Sequence, residues 1–137
     1  MRQPKSGCPI NLGLEVFGDR WTLLILRDIM FTDRRTFREI QASEEGISPK
    51  TLAERMSMLV DEGILVRSSD PGHSQRSILK LTQKGIDLLP VLADISVWSL
   101  KHLKVDPALA DIARQAAANR DDFILRETSR LAERDLS

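Results

Sequence analysis

The chain has 137 residues, of which 42% are hydrophobic, 4% are aromatic and 29% are charged. This length suits one hydrophobic core, and the scarcity of aromatic residues argues for a helix-rich protein and against a β-sandwich. The 20 Lys and Arg residues balance the 20 Asp and Glu residues, which argues against a binder of nucleic acid that works through net charge alone. Any such binding would depend on where the basic side chains lie.

The sequence shows no segment for membrane insertion or export. Residues 21–31 form the longest apolar run, which Arg27 and Asp28 interrupt and which is shorter than the roughly 20 residues that span a bilayer. We therefore expect a protein of the cytoplasm with no membrane partner. Cys8 is the only cysteine, and neither it nor the two separated histidines show metal-ligand spacing, so we expect no metal and no other cofactor.

The first 41 residues carry three helical patterns. Apolar residues at i, i+4 and i+7 predict a first helix that ends at Gly18. Asp19 is placed to cap a second helix over residues 21–30, which is apolar on most sides and therefore central in a small bundle. A brief third helix over residues 36–41 contains Phe37 and Ile40.

A fourth helix must begin at Ser48 and Pro49, because a capping hydroxyl precedes a proline at the first helical position. Its apolar residues form one buried stripe, and Gly63 supplies a left-handed stop after it. The opposite face of the helix is polar. It consists of Lys50, Glu54, Ser57 and Asp61, flanked by Thr51 and Met58.

The pattern after Gly63 changes from helix to strand. Two short aliphatic segments, residues 64–67 and 75–81, flank the turn signal Asp70-Pro71-Gly72 and predict a β-hairpin. Thr82 is placed to cap a helix that runs to about Leu103 with a kink at Pro90. Two further helical patterns follow. We divide the chain into a main unit, residues 1–103, and a helical extension, residues 104–137.

This order of elements predicts a mainly α fold with a small β-hairpin, the winged helix-turn-helix. Such a fold presents one polar helix to a DNA major groove about 12 Å wide. The helix at 36–41, which we call the supporting helix, would lie across the DNA backbone, and the helix at 49–62 would enter the groove. The hairpin, or wing, would contact phosphate or an adjacent minor groove.

The candidate DNA-binding residues follow from these positions. Arg55 lies near the buried edge of its helix, and it could instead pair with a carboxylate or reach phosphate. The candidates for base contact are Lys50, Thr51, Glu54, Arg55 and Ser57, and those for phosphate contact are Arg34, Arg35 and Arg38 at the supporting helix and Arg67, His73, Arg76 and Lys80 on the wing.

Several ordered motifs between Cys8 and Leu103 carry a family resemblance. They are Cys8-Pro9, Gly18-Asp-Arg-Trp21 with the apolar run to Arg27, Phe37-Arg-Glu-Ile40, Ile47-Ser-Pro-Lys50, Asp61-Glu-Gly-Ile64, Leu81-Thr82 and Leu89-Pro-Val-Leu92. On these motifs the chain resembles the HxlR-type family of MarR-like winged helix-turn-helix regulators.

The resemblance implies a homodimeric regulator that binds a pseudo-palindromic operator in double-stranded DNA, with repression as the family default. It implies that the first and last helices of the main unit pair the subunits. It also places Ser48, Pro49, Lys50, Thr51 and Arg55 in the segment that reads DNA. We expect the extension, residues 104–137, to enlarge the dimer interface, and a pocket for an effector could lie between it and the core.

The resemblance further makes Cys8 a candidate sensor, because some relatives detect oxidants or electrophiles through a cysteine at this position. A depressed thiol pKa at a helix N-terminus would favour that role. The alternative is that Cys8 is a small buried hydrophobic residue near the start of the first helix.

Two other functions compete with DNA binding. An enzyme would need a nucleophile beside a base, but Cys8, His73 and His102 are far apart in the sequence, so we expect no catalytic residue. A winged helix can also bind proteins and not DNA. Such a module would show apolar residues on the fourth helix, where the polar face has only Met58 beside it. We expect Trp21 and Trp98 to pack in the core or at a dimer interface.

Overall fold

The computed structural model describes residues 3–136, and of residues 73–75 it describes the backbone only. It confirms a mainly helical chain with a two-stranded antiparallel hairpin, in the element order predicted for a winged helix-turn-helix. The elements are α1 (Pro9–Phe17), α2 (Arg20–Phe31), α3 (Phe37–Gln41), α4 (Pro49–Asp61), β1 (Leu65–Asp70), β2 (His73–Leu81), α5 (Gln83–Ile86), α6 (Leu89–His102), a 3-10 turn (Pro107–Leu109), α7 (Asp111–Ala118) and α8 (Arg120–Asp135).

Polar side chains cap the helices where the sequence predicts starts. The Asp19 carboxylate accepts hydrogen bonds from the Trp21 and Thr22 backbone N–H groups, at 2.9 and 3.0 Å. The Ser48 hydroxyl accepts from the Thr51 N–H at 3.1 Å, with Pro49 next to it in the first turn. Thr36 and Glu39 form a reciprocal capping box at α3. The start of each helix in the helix-turn-helix is therefore fixed by its own sequence.

The core lies around α2, which confirms its predicted central place. Ile25, Leu26, Ile29 and Met30 of this helix are at most 1% exposed. They pack in one cluster with the apolar stripe of α4 and with the inward side chains of the wing, which are Leu52, Met56, Leu59, Leu65, Leu79 and Leu81.

The predicted kinked helix from Thr82 to Leu103 is wrong in one respect, because the structure has two helices there. Thr82 caps α5, which ends after one turn at Asp87, and α6 begins at Leu89. Pro90 lies in the first turn of α6, where its missing N–H costs no hydrogen bond. The proline therefore starts a helix here and does not bend one.

The extension folds back on the core of its own chain, which the sequence analysis did not predict. Phe123 and Leu131 of α8 are fully buried, and the Phe123 ring lies 6.4 Å from the Phe31 ring at the end of α2. Among the described residues, no helix is long and apolar enough to cross a membrane.

Candidate nucleic-acid interface

The outer side of α4 carries most of the residues predicted to contact bases. Lys50, Glu54 and Ser57 are exposed, as are Ser48 and Pro49 at the start of the helix. Thr51 is half-buried, and the Ser48 hydroxyl donates to its hydroxyl at 2.9 Å. We call these six residues the reading face. The face offers an ammonium, hydroxyls and one carboxylate, which are the groups that can hydrogen-bond to base edges.

Arg55 departs from this face and pairs with a carboxylate, one of the alternatives that the sequence left open. Its Nε lies 3.3 Å from Oδ2 of Asp19, the residue that caps α2. Burial works against ionisation of Asp19, but hydrogen bonds from Thr22 and Trp21 and the charge of Arg55 lower the pKa of its carboxyl overall. The contact ties α4, which we call the reading helix, to the start of α2.

A polar network fixes the turn between α3 and α4. Arg27 donates to both carboxylate oxygens of Glu45 at 2.8 Å and to the buried Asp28 at 2.9 Å. The Ser43 hydroxyl donates to Asp28 and accepts from Arg34 Nη1. The paired hydrogen bonds from Arg27 lower the pKa of Glu45 to about 2. The turn that orients α4 is therefore locked to α2 by charged groups.

This network is not predicted from the sequence. The signal for it was the charged pair Arg27 and Asp28 inside the apolar run of α2, since charged groups in a central helix need buried partners. The sequence alone could not say which residues those partners are.

The three arginines near the supporting helix have different surroundings. The Arg34 side chain is drawn into the turn network. Arg35 donates to the Leu79 carbonyl at 3.3 Å and to Asp135 at 2.6 Å, and its side chain is 18% exposed. Arg38 is exposed. Of the three, Arg38 is the most accessible to a phosphate.

The basic side chains of the wing differ in exposure and in pairing with carboxylates. Arg67 is exposed, whereas Arg76 Nη2 lies 2.6 Å from the Asp70 carboxylate at the wing tip. Lys80 is half-buried near the base of the wing. The side chain of His73, another predicted contact, lies outside the described residues.

Cys8 is exposed, so the alternative that it is a small buried hydrophobic residue is wrong. It occupies the cap position of α1, with Pro9 in the first turn. The Asn11 and Ile10 backbone N–H groups at the start of α1 lower the pKa of its thiol, because nearby donors favour the thiolate. Among the described residues, no three His, Cys, Asp or Glu side chains are grouped as metal ligands.

Apolar side chains are exposed on two helices of the main unit. On α1, Ile10 is 74% exposed and Leu14 is 55% exposed. On α6, Trp98 is 57% exposed, and with Ile95 and Val91 it lines a shallow depression. Trp21, by contrast, packs against the core and lies under the Arg20 guanidinium, 5.3 Å from its ring centre.

Known proteins share the sequence pattern of this chain. A family model described as HxlR-like helix-turn-helix matches residues 16–107. The HTH-type transcriptional regulator Mb3122 of Mycobacterium bovis is 39% identical over 101 residues, which cover 72% of this chain and 61% of Mb3122. The chain therefore spans about three fifths of that relative.

Solved structures agree with the family match. The crystal structure of the protein PA1607 aligns with a TM-score of 0.67 and 33% identity, over 75% of this chain and 70% of that one. The reduced form of the transcriptional regulator YodB from Bacillus subtilis aligns with a TM-score of 0.56 and 30% identity, over 71% of this chain and 95% of that one. On the family match and these relatives, the chain belongs to the HxlR-like helix-turn-helix family.

Proposed function

We propose that the protein is a sequence-specific DNA-binding transcriptional regulator. The observation that carries the proposal is the reading face, an exposed polar surface on a helix that is capped, tied to α2 and flanked by a wing. A winged helix-turn-helix positions such a helix in the major groove. The relatives named as HTH-type transcriptional regulators support the same function.

We assign roles to individual residues by their position and, for the arginines, by the groups that bind them. Arginines bound by the turn network or by a carboxylate outside the wing fix the elements that carry the contacts, whereas Arg76 pairs within the exposed wing tip. We assign base contacts to Lys50, Thr51, Glu54 and Ser57, with Ser48 and Pro49 at the start of the helix; phosphate contacts to Arg38, Arg67, His73 and Arg76; and positioning roles to Arg34, Arg35 and Arg55.

The regulator is proposed to act as a homodimer that represses through a pseudo-palindromic operator. The exposed apolar side chains of α1 and α6 support pairing, because burial of such surface between two copies removes it from water. Leu125 of the extension is 69% exposed and would enlarge that surface. A two-fold axis between subunits would place the two copies of α4 in successive major grooves.

Cys8 is the proposed site of response to an oxidant or electrophile. The exposed, acidified thiol at the start of α1 suits attack on an electrophile, since the thiolate is the nucleophile. Structures of YodB exist in quinone-bound and diamide-treated forms, which supports an effector of that class. Because α1 also carries the proposed pairing surface, modification there would alter the dimer that binds DNA.

Substitutions on the reading face test the function. Lys50→Ala or Thr51→Ala should cost about 1–3 kcal/mol of affinity for the operator and little for scrambled duplex, because base contacts carry the sequence preference. Arg76→Ala should weaken binding to both duplexes and lower the salt slope by about one unit.

Lys104→Ala is the matched control, because it removes one positive charge from an exposed residue beyond α6. Titrations of labelled operator and scrambled duplex at two salt concentrations give the comparison. Equal losses on both duplexes for Lys50→Ala and Thr51→Ala would contradict the assignment of base contacts.

A further inference from the structure

The last turn of α8 inserts one carboxylate between the wing and the helix-turn-helix. The side chain of Asp135 is fully buried. Its Oδ1 accepts from Arg35 Nη2 at 2.6 Å, and its Oδ2 accepts from the Leu81 backbone N–H at 2.9 Å. Arg134 donates to both oxygens, at 2.9 and 2.8 Å. We call Asp135, Arg35, Arg134 and the Leu81 amide the Asp135 cluster.

The cluster joins the segment before α3 to the base of the wing. Arg35 directly precedes Thr36, which caps α3. Leu81 ends β2 and pairs with Leu65, the first residue of β1. Arg35 and Leu79 are also bonded through their backbones, at 2.8 Å from the Leu79 N–H to the Arg35 carbonyl. A single carboxylate therefore contacts the base of the wing and the entry to the supporting helix.

Two arginines of α8 also bind the end of α2 and the loop that follows it. Arg134 Nη1 donates to the Ile29 carbonyl at 3.0 Å and to Asp33 at 2.8 Å. Asp33 has a left-handed backbone, with φ of 55°, which few residues adopt without support. Arg130 donates to the Met30 carbonyl at 2.7 Å. The last turn of α2 and the loop residue Asp33 are thus bound to α8.

Electrostatics make the Asp135 cluster dependent on all its members. Burial disfavours the ionised carboxylate, but hydrogen bonds from Arg134 and Leu81 and the charges of Arg134 and Arg35 lower the pKa of Asp135 overall. Removing one member of a buried ion pair leaves an uncompensated charge. Both carboxylate oxygens accept from donors, so an asparagine would turn its NH2 group towards one of them.

We propose that Asp135 is a positioning residue for DNA binding and that α8 fixes the wing relative to the reading helix. The inference rests on the proposed function. A strand of six residues is about 20 Å long, so a tilt of about 5° at its base moves the wing tip by nearly 2 Å. A shift of that size separates a hydrogen-bonded guanidinium from its phosphate.

The test compares four variants with the wild type. Asp135→Asn and Arg35→Gln each break the ion pair between Arg35 and Asp135. The double variant removes both partners of that one ion pair. Leu131→Ala is the control, because it leaves a cavity in the packing of α8 but keeps every group of the Asp135 cluster. Affinity for operator and scrambled duplex, its salt dependence and the thermal unfolding midpoint are measured for each protein, with binding at a temperature where all are folded.

We expect Asp135→Asn and Arg35→Gln each to lose affinity about tenfold on both duplexes, with a shallower salt slope because wing contacts to phosphate are lost. The double variant should lose no more than either single variant. Leu131→Ala should lower the unfolding midpoint and keep the wild-type affinity. Unchanged affinity in folded Asp135→Asn, or losses that add in the double variant, would overturn the proposal.

A gain in affinity with Asp135→Asn would also overturn it, since Arg35 would then be a DNA contact that Asp135 withholds. If Asp135→Asn does not fold, the test uses Arg35→Gln. The hydrogen-exchange rate of its Leu81 amide is measured without DNA and compared with wild type. Faster exchange of the Leu81 amide supports the link, and unchanged exchange overturns it. A wild type that binds no DNA would refute the proposed function, while the exchange result would still report on the Asp135 cluster.

Discussion

Arg27 and Glu45 form a bidentate ion pair that holds the turn before α4 against α2. Both hydrogen bonds between the guanidinium and the carboxylate are 2.8 Å long. The pKa of Glu45 falls from 4.5 to about 2 because Arg27 favours its ionised form. A carboxyl whose pKa is lowered on folding stabilises the protein above its unfolded pKa and loses that effect as the pH falls.

Glu45→Gln should therefore lower the free energy of unfolding by about 1 kcal/mol at pH 7, allowing for solvent screening of a partly exposed pair. The difference should shrink between pH 4.5 and about 2, the window between the unfolded and folded pKa values of Glu45. Urea unfolding at pH 7, 4 and 3 measures it. Glu44→Gln, at an exposed neighbour, is the control. A difference from wild type that does not change with pH would contradict the role of this pair.

Single residues show where sequence reasoning succeeds and where it stops. The caps at Asp19 and Ser48 were predictable, because a cap and the N–H groups that it binds are two or three residues apart. The partners of Arg35 and Arg55 were not, since Asp135 is 100 residues from Arg35 and a charge pattern does not say which helices meet. The exposure of Cys8 likewise depends on the path of the residues around α1.

The short helix α5 meets the wing at a point of close backbone contact. A Cβ on Gly85 would lie 2.3 Å from the carbonyl oxygen of Ile64, just before β1. The Thr82 hydroxyl bonds to the Gly85 N–H and to the Ile64 carbonyl on either side of this contact. Only glycine permits the approach that brings α5 beneath the wing.

Gly85→Ala should lower the free energy of unfolding by more than about 2 kcal/mol, since backbone must move to relieve the clash. Gly72→Ala at the wing tip is the matched control, because its Cβ would lie 3.6 Å from the nearest atom, an oxygen of Asp70. That change should stay within about 0.5 kcal/mol of wild type. Thermal unfolding measures the stability of both variants. Equal losses of stability in Gly85→Ala and Gly72→Ala would contradict the close contact at Gly85.

The ends of helices and strands were predictable where a short motif of adjacent residues marks them. Ser48-Pro49 located the start of α4, and Asp70-Pro71-Gly72 located the turn of the hairpin. The break between α5 and α6 was missed because apolar spacing continues across it. Within that spacing Pro90 predicts a kink, although a proline is equally compatible with the first turn of a new helix.

The exposed apolar side chains of α1 and α6 lead to a prediction about assembly. Ile95→Asp places a charge in the proposed pairing surface and should raise the dimer dissociation constant at least tenfold, or about 1.4 kcal/mol. Leu125→Asp should have a smaller effect in the same direction. Ser129→Asp, at an exposed polar site on α8, should have none. Sedimentation velocity over a range of concentrations measures the shifts, and a monomeric wild type would contradict the dimer.

At the scale of the molecule, the sequence predicted the winged helix-turn-helix and its family but not how the extension packs. The spacing of Phe123 and Leu131 indicates an apolar face on α8, and an apolar face fits a second subunit as well as the same chain. The structure buries that face in the chain's own core. The Asp135 cluster then makes the extension a neighbour of the wing, which periodicity cannot show.

The most direct test of the account is binding of the purified protein to the DNA upstream of its own gene. Scrambled duplex is the comparison, at two salt concentrations, with and without oxidant, and Cys8→Ser is the control for the thiol. We predict a specific complex that weakens with salt and, in the wild type but not in Cys8→Ser, changes with oxidant. A folded, dimeric protein that shows no preference over scrambled duplex under any of these conditions would contradict the account.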